Sequence, residues 1–184
     1  MNPMIKYRGG KSKEISHFLK FMPDNYNRYI EPFLGGGALY FYLEPERAII
    51  NDVNNKLYNF YAEMKDKYPE IRVQLDELQT EYERNQKEYE SKKVLNPDER
   101  IENLNEHLYY KIRDMFNHKI KSTYLDAVLY FFINKTAYSG MIRYNANGEF
   151  NVPFGRYKNF NTKLITDKHN DLLKRTEIYN GDYS

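Results

Sequence analysis

Apolar residues recur at helical spacing in Ile15, Phe18, Leu19 and Met22, between a Gly-Gly turn and Pro23, which predicts a short helix behind the segment Tyr7 to Lys11 (YRGGK). The next run, Tyr29 to Leu34 (YIEPFL), is aromatic and branched and stops at Gly35-Gly36-Gly37. It reads as a strand entering a glycine loop, with Ala38 to Leu43 (ALYFYL) as the helix beyond and Pro45 closing that helix. Arg47 to Ile50 (RAII) reads as a second buried strand that carries Asn51-Asp52 at its carboxyl end. Together these runs predict a β-α-β unit.

The texture changes at Leu57. Long charged helical sequence runs to about Glu106, with Leu75, Leu78 and Tyr82 on one face and a break at Asn96-Pro97-Asp98. Residues 60–106 hold 13 acids and eight bases, the pattern of solvated faces on surface helices. A further helical run covers Leu108 to Asn117, and Leu125 to Ile133 (LDAVLYFFI) is almost wholly apolar and predicts a core helix. Between Ile142-Arg143-Tyr144 and Glu149-Phe150-Asn151-Val152, the turn Asn145-Ala146-Asn147-Gly148 predicts a short hairpin. A helix around Leu164 to Arg175 and a strand at Glu177 to Tyr179 follow.

A length of 184 residues suits one domain, or one with a sub-domain, around a single core. The 28 Lys and Arg against 26 Asp and Glu leave a net charge of +2, so bulk charge selects no partner and its distribution must. Residues 134–168 carry six bases and two acids, interleaved with Tyr138, Tyr144, Phe150, Phe154, Tyr157 and Phe160. A basic, aromatic hairpin suits a nucleic-acid backbone and its grooves, although an ordinary surface hairpin has the same composition. The absence of cysteine removes thiol nucleophiles, disulfides and thiolate metal sites, and the four histidines are scattered. No metal is expected. No apolar run is long enough for a membrane span and the N-terminus has no apolar signal core, so no membrane association and a cytoplasmic location are expected. With 19 Tyr and 11 Phe at a mean hydropathy of −0.86, some rings must lie half-exposed, where they could stack on planar ligands.

Glycines between a buried strand and a helix let backbone approach a ligand closely, with the helix N-terminus behind it. Asp52, at the tip of the next strand, stands where a carboxylate commonly takes the ribose hydroxyls of a nucleotide-like cofactor. A dinucleotide site would want GxGxxG, whereas here Gly35-Gly36-Gly37 is followed by Ala38-Leu39-Tyr40, which disfavours hydride transfer.

Four segments in order, YRGGK, EPFLGGGAL (Glu31 to Leu39), NDVN (Asn51 to Asn54) and NGEFNVPFGRYK (Asn147 to Lys158), resemble successive motifs of the Dam-type, D12 class DNA adenine N6-methyltransferases. The resemblance implies an α/β fold, a Rossmann-like methyltransferase core at residues 1–56 and 159–184 with an incomplete sheet. It also implies an inserted helical and β-hairpin DNA-recognition region at 57–158. S-adenosyl-L-methionine is the implied cofactor and double-stranded DNA with a GATC-like target the implied substrate. Tyr7, Lys11, Glu31, Phe33, Gly35, Gly37, Asp52 and Asp182 match cofactor-binding positions, Tyr7 standing where Trp is more usual. Lys6, Arg113, Tyr138, Ser139, Met141, Arg143, Pro153, Arg156 and Lys158 match DNA-binding positions, Ser139 standing where Asn is common. Arg can fork onto guanine O6 and N7, and Met141 and Pro153 could meet a thymine methyl.

The family's catalytic Asp/Asn-Pro-Pro-Tyr/Phe element is absent from the sequence. An adenine amino group needs acceptors that hold N6 during attack on the sulfonium methyl, and an aromatic that clamps the flipped base. Val152-Pro153-Phe154 lacks the acid and Glu31-Pro32-Phe33 precedes the glycine loop, so no catalytic residue is assigned and the chain alone is expected to be inactive. One expectation is the N-terminal part of a longer enzyme, completed by a C-terminal fragment or a second copy. The others are a chain that binds DNA or cofactor without catalysis, a subunit of a split methyltransferase, and an unrelated nucleic-acid-binding module.

Overall fold

The computed structural model describes residues 1–12 and 14–182 of the 184. Contacts within the chain divide it into two compact units, Met1–Tyr68 with the chain from Lys163 onward, and Pro69–Thr162. The single core expected from length gives way to two compact units, with Tyr40, Phe41 and Phe60 buried in the first and Tyr82, Tyr109, Phe131 and Phe132 in the second.

The first unit is built on a parallel sheet of three strands, β1 (Tyr29–Glu31), β2 (Ala48–Asn51) and β3 (Thr176–Tyr179), in the order β1-β2-β3. Tyr29 is in register with Ala48 and Ala48 with Thr176. β1 is shorter than the YIEPFL run, since Pro32 has no N–H to continue a ladder. α1 (Ile15–Leu19) precedes β1, and α2 (Ala38–Leu43) joins β1 to β2. Gly37 caps α2 at φ 65°, a left-handed conformation that glycine adopts without penalty. α3 (Asn55–Asp66) follows β2, its first N–H groups taken by the Asn54 side chain, which accepts from Lys56 and Leu57. α7 (Asp167–Lys174) leads into β3 and opens with a reciprocal cap between Thr166 and His169.

Strand alternation sorts the sheet's faces. Tyr29, Ala48, Ile50 and Thr176 are buried, and the Tyr40 hydroxyl of α2 bonds Thr176 Oγ1 at 2.7 Å on that side. Ile30 and Tyr179, on the opposite side, are each 53% exposed. Parallel sheets are ordinarily covered on both faces.

The second unit is helical, with α4 (Tyr68–Leu95), α5 (Leu104–Phe116) and α6 (Asp126–Thr136). α4 buries Ile71, Leu75, Leu78 and Tyr82, the apolar row read from the sequence. The Tyr82 ring meets Phe132 and Phe160, whose own centroids lie 5.0 Å apart. α6 is buried on nearly every side, as its apolar composition predicts.

The expected hairpin forms, in a minimal version. Its turn forms, with Asn145 N–H donating to Glu149 C=O at 2.9 Å and Gly148 N–H to Asn145 C=O at 3.0 Å. Tyr144 and Phe150 pair as one antiparallel bridge between the Asn145–Glu149 bond and an Asn151 N–H to Arg143 C=O bond at 3.2 Å, and Ala137 bridges Phe154. The Asn117 side chain, just past α5, engages Phe150 by donating to its C=O at 2.9 Å and accepting from its N–H at 2.8 Å. Pro153 can donate nothing to extend the pairing. Among the described residues no helix is long and apolar enough to cross a membrane.

Candidate functional site

The glycine turn is tied to β2 by a carboxylate. Asp52 Oδ2 accepts the N–H of Gly35 at 2.8 Å, and Oδ1 accepts the N–H of Asn54 at 2.9 Å. Asn51 Nδ2 donates to the carbonyls of Pro32 and Gly181, each at 3.0 Å, so one amide holds the entry to the glycine turn and the segment after β3. Tyr61 of α3 donates its buried hydroxyl to Gly35 C=O at 2.9 Å. Every backbone group fixed here belongs to a loop at the carboxyl ends of parallel strands, where open α/β sheets bind ligands.

Tyr7 reaches the same place. Its ring lies so close to the turn that a Cβ on Gly35 would stand 2.7 Å from a ring carbon, and one on Gly36 would stand 2.8 Å from the Tyr7 Cβ. Gly35, at φ 51°, is therefore required both by its backbone and by the ring above it. Partial burial, then the Asp52 charge, raises the Tyr7 pKa, since both disfavour a phenolate. The sequence reads these glycines as making room for a ligand; the structure shows them making room for Tyr7 as well.

Glu31, at the end of β1, accepts a hydrogen bond from the Tyr29 hydroxyl at 2.8 Å. Burial pushes its pKa up to about 7, against a smaller opposing effect of the Tyr29 bond. Glu31 and Asp182 line one cavity of about 320 Å³ floored by Ile30 and Ile49, with Asn51 and Tyr179 in its wall. Tyr7, Gly35 and Asp52 thus meet at the turn, and Glu31 and Asp182 meet in the cavity. Lys11 pairs with Glu14 at 3.3 Å, Phe33 is 66% exposed, and Gly37 caps α2. Asn51 stands within the NDVN segment, whose pattern does not announce its tethering role, and Tyr29 and Tyr61 likewise act through contacts that no local pattern announces.

The nucleic-acid candidates fall in the second unit, except Lys6, which is exposed in the first. The Arg113 guanidinium lies 4.5 Å from the centre of the Tyr110 ring. Tyr138 and Ser139 form a short 3-10 turn, Tyr138 N–H donates to Pro153 C=O at 2.9 Å, and Met141 follows half-buried. Ser139 and Arg156 have left-handed backbones, at φ 56° and 55°. Arg143 is exposed and bonded to Asn151. Arg156 approaches Glu106 at 3.9 Å, and Lys158 pairs with Glu90 at 3.5 Å. Among the described residues, no three His, Asp or Glu side chains are grouped to hold a metal ion.

Comparison with known proteins decides the family, since the D12 class N6 adenine-specific DNA methyltransferases match residues 7–184. The chain belongs to that family. Among curated relatives, the Type II methyltransferase M1.LlaDCHI of Lactococcus lactis subsp. cremoris is 38% identical, over 97% of this chain and 55% of its own length. The Type II methyltransferase M.MjaIII of Methanocaldococcus jannaschii is 36% identical, over 100% of this chain and 63% of its own. The DNA adenine methylase of Escherichia coli is 32% identical, over 84% of this chain and 48% of its own. The chain spans roughly half to under two thirds of these relatives. D12 class methyltransferases depend on S-adenosylmethionine in general, and the small parallel sheet with its glycine turn agrees with a methyltransferase fold.

Proposed function

We propose that this chain is the cofactor-binding and DNA-recognition part of a site-specific DNA adenine N6-methyltransferase with a GATC-like target. The observation that carries the reading is the Asp52–Gly35 bond, which fixes a carboxylate and a glycine turn together at the carboxyl ends of β1 and β2. The site suits S-adenosylmethionine in its donor set: the Asp52 carboxylate accepts ribose hydroxyls beside the two N–H groups it already holds, and the Tyr7 ring offers a stacking face. Glu31 and Asp182 offer negative charge to a cationic ligand. Lys11, Phe33 and Gly37 complete the proposed cofactor set. When bound, the cofactor supplies an electrophilic methyl on a sulfonium.

The second unit supplies the proposed DNA contacts, with Lys158 and Arg156 holding phosphate, Arg113, Tyr138, Ser139 and Met141 beside the duplex, Pro153 against a base edge, and Arg143 reading a guanine. Lys6 is a proposed DNA contact carried by the first unit. Because the 184 residues contain no Asp/Asn-Pro-Pro-Tyr/Phe element, the chain transfers no methyl group by itself and a complementing polypeptide supplies the acceptors for adenine N6. The exposed face of β1 and β3 supports this second element, since a parallel sheet with Ile30 and Tyr179 uncovered has room for more protein.

The test is tritiated methyl incorporation into GATC-containing duplex, by the chain alone and with a separately produced downstream fragment bearing Asp-Pro-Pro-Tyr. Incorporation only in the mixture is expected. Incorporation by the chain alone, abolished by Asp52→Ala, overturns the inactive-alone reading, and no binding of either ligand in any combination overturns the function.

A further inference from the structure

Arg143 and Asn151 face each other across the Asn145–Glu149 turn. Asn151 N–H donates to Arg143 C=O at 3.2 Å, and Arg143 Nε–H donates back to Asn151 Oδ1 at 3.0 Å. Backbone and side chains are thus cross-linked in both directions at an exposed pair. The frame beneath them is held as well. Asn145 Oδ1 accepts from the N–H groups of Asn147 and Glu149 at 3.0 and 2.9 Å, Asn117 holds both backbone groups of Phe150, and Lys119 pairs with Glu149 at 3.1 Å.

A guanidinium anchored through Nε presents its two terminal nitrogens as a flat fork, the geometry that matches guanine O6 and N7 in the major groove. A long side chain otherwise loses rotamer freedom on binding, and an anchor in the free protein removes part of that cost. The anchoring group is an amide, which holds Nε without neutralising the positive charge or repelling nearby phosphate, as a carboxylate would. We propose that Asn151 is a specificity-determining positioning residue, which orients Arg143 so that its guanidinium edge meets one guanine of the duplex. This rests on the reading of Arg143 as a base contact made above.

The experiment is selection of bound duplexes from a library with a randomised eight-base-pair centre, read by sequencing, for the wild-type chain, Arg143→Ala, Asn151→Ala, the double variant and Asn151→Asp. Total DNA affinity is measured alongside. The wild type should prefer guanine at one position, and Arg143→Ala should flatten that preference about 10-fold or more. Asn151→Ala should flatten the same position by several-fold and add nothing in the Arg143→Ala background. Asn151→Asp, which keeps the acceptor, should retain the preference while lowering total affinity, a split that general loosening of the turn does not produce. Full preference in Asn151→Ala with loss in Arg143→Ala overturns the positioning role and leaves Arg143 as reader. Loss in Asn151→Ala at a different position, or loss in Asn151→Asp equal to that in Asn151→Ala, also overturns it. A wild type without preference, or Arg143→Ala with preference intact, overturns the reading beneath.

Discussion

Asp52 Oδ2 accepts the Gly35 N–H at 2.8 Å while Oδ1 takes the Asn54 N–H, so one carboxylate joins the glycine turn after β1 to the N-terminus of α3. It therefore serves the fold before any ligand arrives. Asp52→Ala leaves two part-buried donors without their acceptor and should cost about 1–3 kcal/mol of stability, read by urea unfolding. In calorimetry the same variant should lose about 1.5–3 kcal/mol of S-adenosylmethionine binding, the range for a hydrogen bond to a charged group, while NAD binds to neither form. Undiminished cofactor binding in a folded Asp52→Ala chain would remove Asp52 from the site.

Glu31 should make stability depend on pH. Its pKa stands at about 7 in the folded chain against an ordinary carboxyl value in the unfolded one, because burial opposes ionisation. Between those values the folded state binds more protons than the unfolded state, so stability falls as pH rises from about 4.5 to 7 and then levels. The loss should reach about 3 kcal/mol at 1.36 kcal/mol per pKa unit. Glu31→Gln should remove that slope in urea unfolding at pH 5, 6, 7 and 8. An unchanged slope would mean that Glu31 ionises freely.

The same carboxyl should tune binding of a cationic ligand. A positive group near Glu31 favours the ionised form, so S-adenosylmethionine should bind more tightly at pH 8 than at pH 6. Calorimetry at both values checks this, and Glu31→Gln should bind weakly at both. If wild type and Glu31→Gln follow the same pH profile, the cation does not sit beside Glu31.

Lys158 pairs with Glu90 in the free chain, an exposed pair that contact with phosphate must exchange. Lys158→Ala should weaken binding to all duplex sequences alike and lower the salt slope by about 0.9, the value for one phosphate neutralised. Glu90→Gln, which releases the lysine, should tighten binding at low salt. Fluorescence anisotropy on cognate and random duplexes at several salt concentrations reads both. A sequence-dependent loss in Lys158→Ala would contradict a phosphate contact.

Ser139 has a left-handed backbone, φ 56°, which costs a non-glycine residue about 1 kcal/mol or more. Ser139→Gly should raise unfolding stability by up to about 1 kcal/mol, with flexibility gained in the unfolded chain reducing the gain. A clear loss of stability would show that the Ser139 side chain holds the turn.

Local chemistry made much of this protein legible in its sequence. Glycine, proline and apolar spacing determined the strand, glycine turn, helix and second strand around Gly35 to Gly37, the buried row of α4 and the core helix α6, because each depends on residues close in the chain. The four spaced motifs likewise led to the family. Other features were decided by the tertiary structure, because they depend on partners far apart in sequence. The hairpin's outer edge is held by Asn117, which from the end of another element meets the backbone groups of Phe150 that point away from Tyr144. Glu31 took its unusual proton affinity from burial beside Tyr29, and the Glu31–Asp182 cavity exists only where β1 and the segment after β3 flank β2. Arg143 and Asn151 were both visible in the sequence as residues of one turn. That one side chain holds the other follows from backbone register and rotamer together, which no spacing encodes.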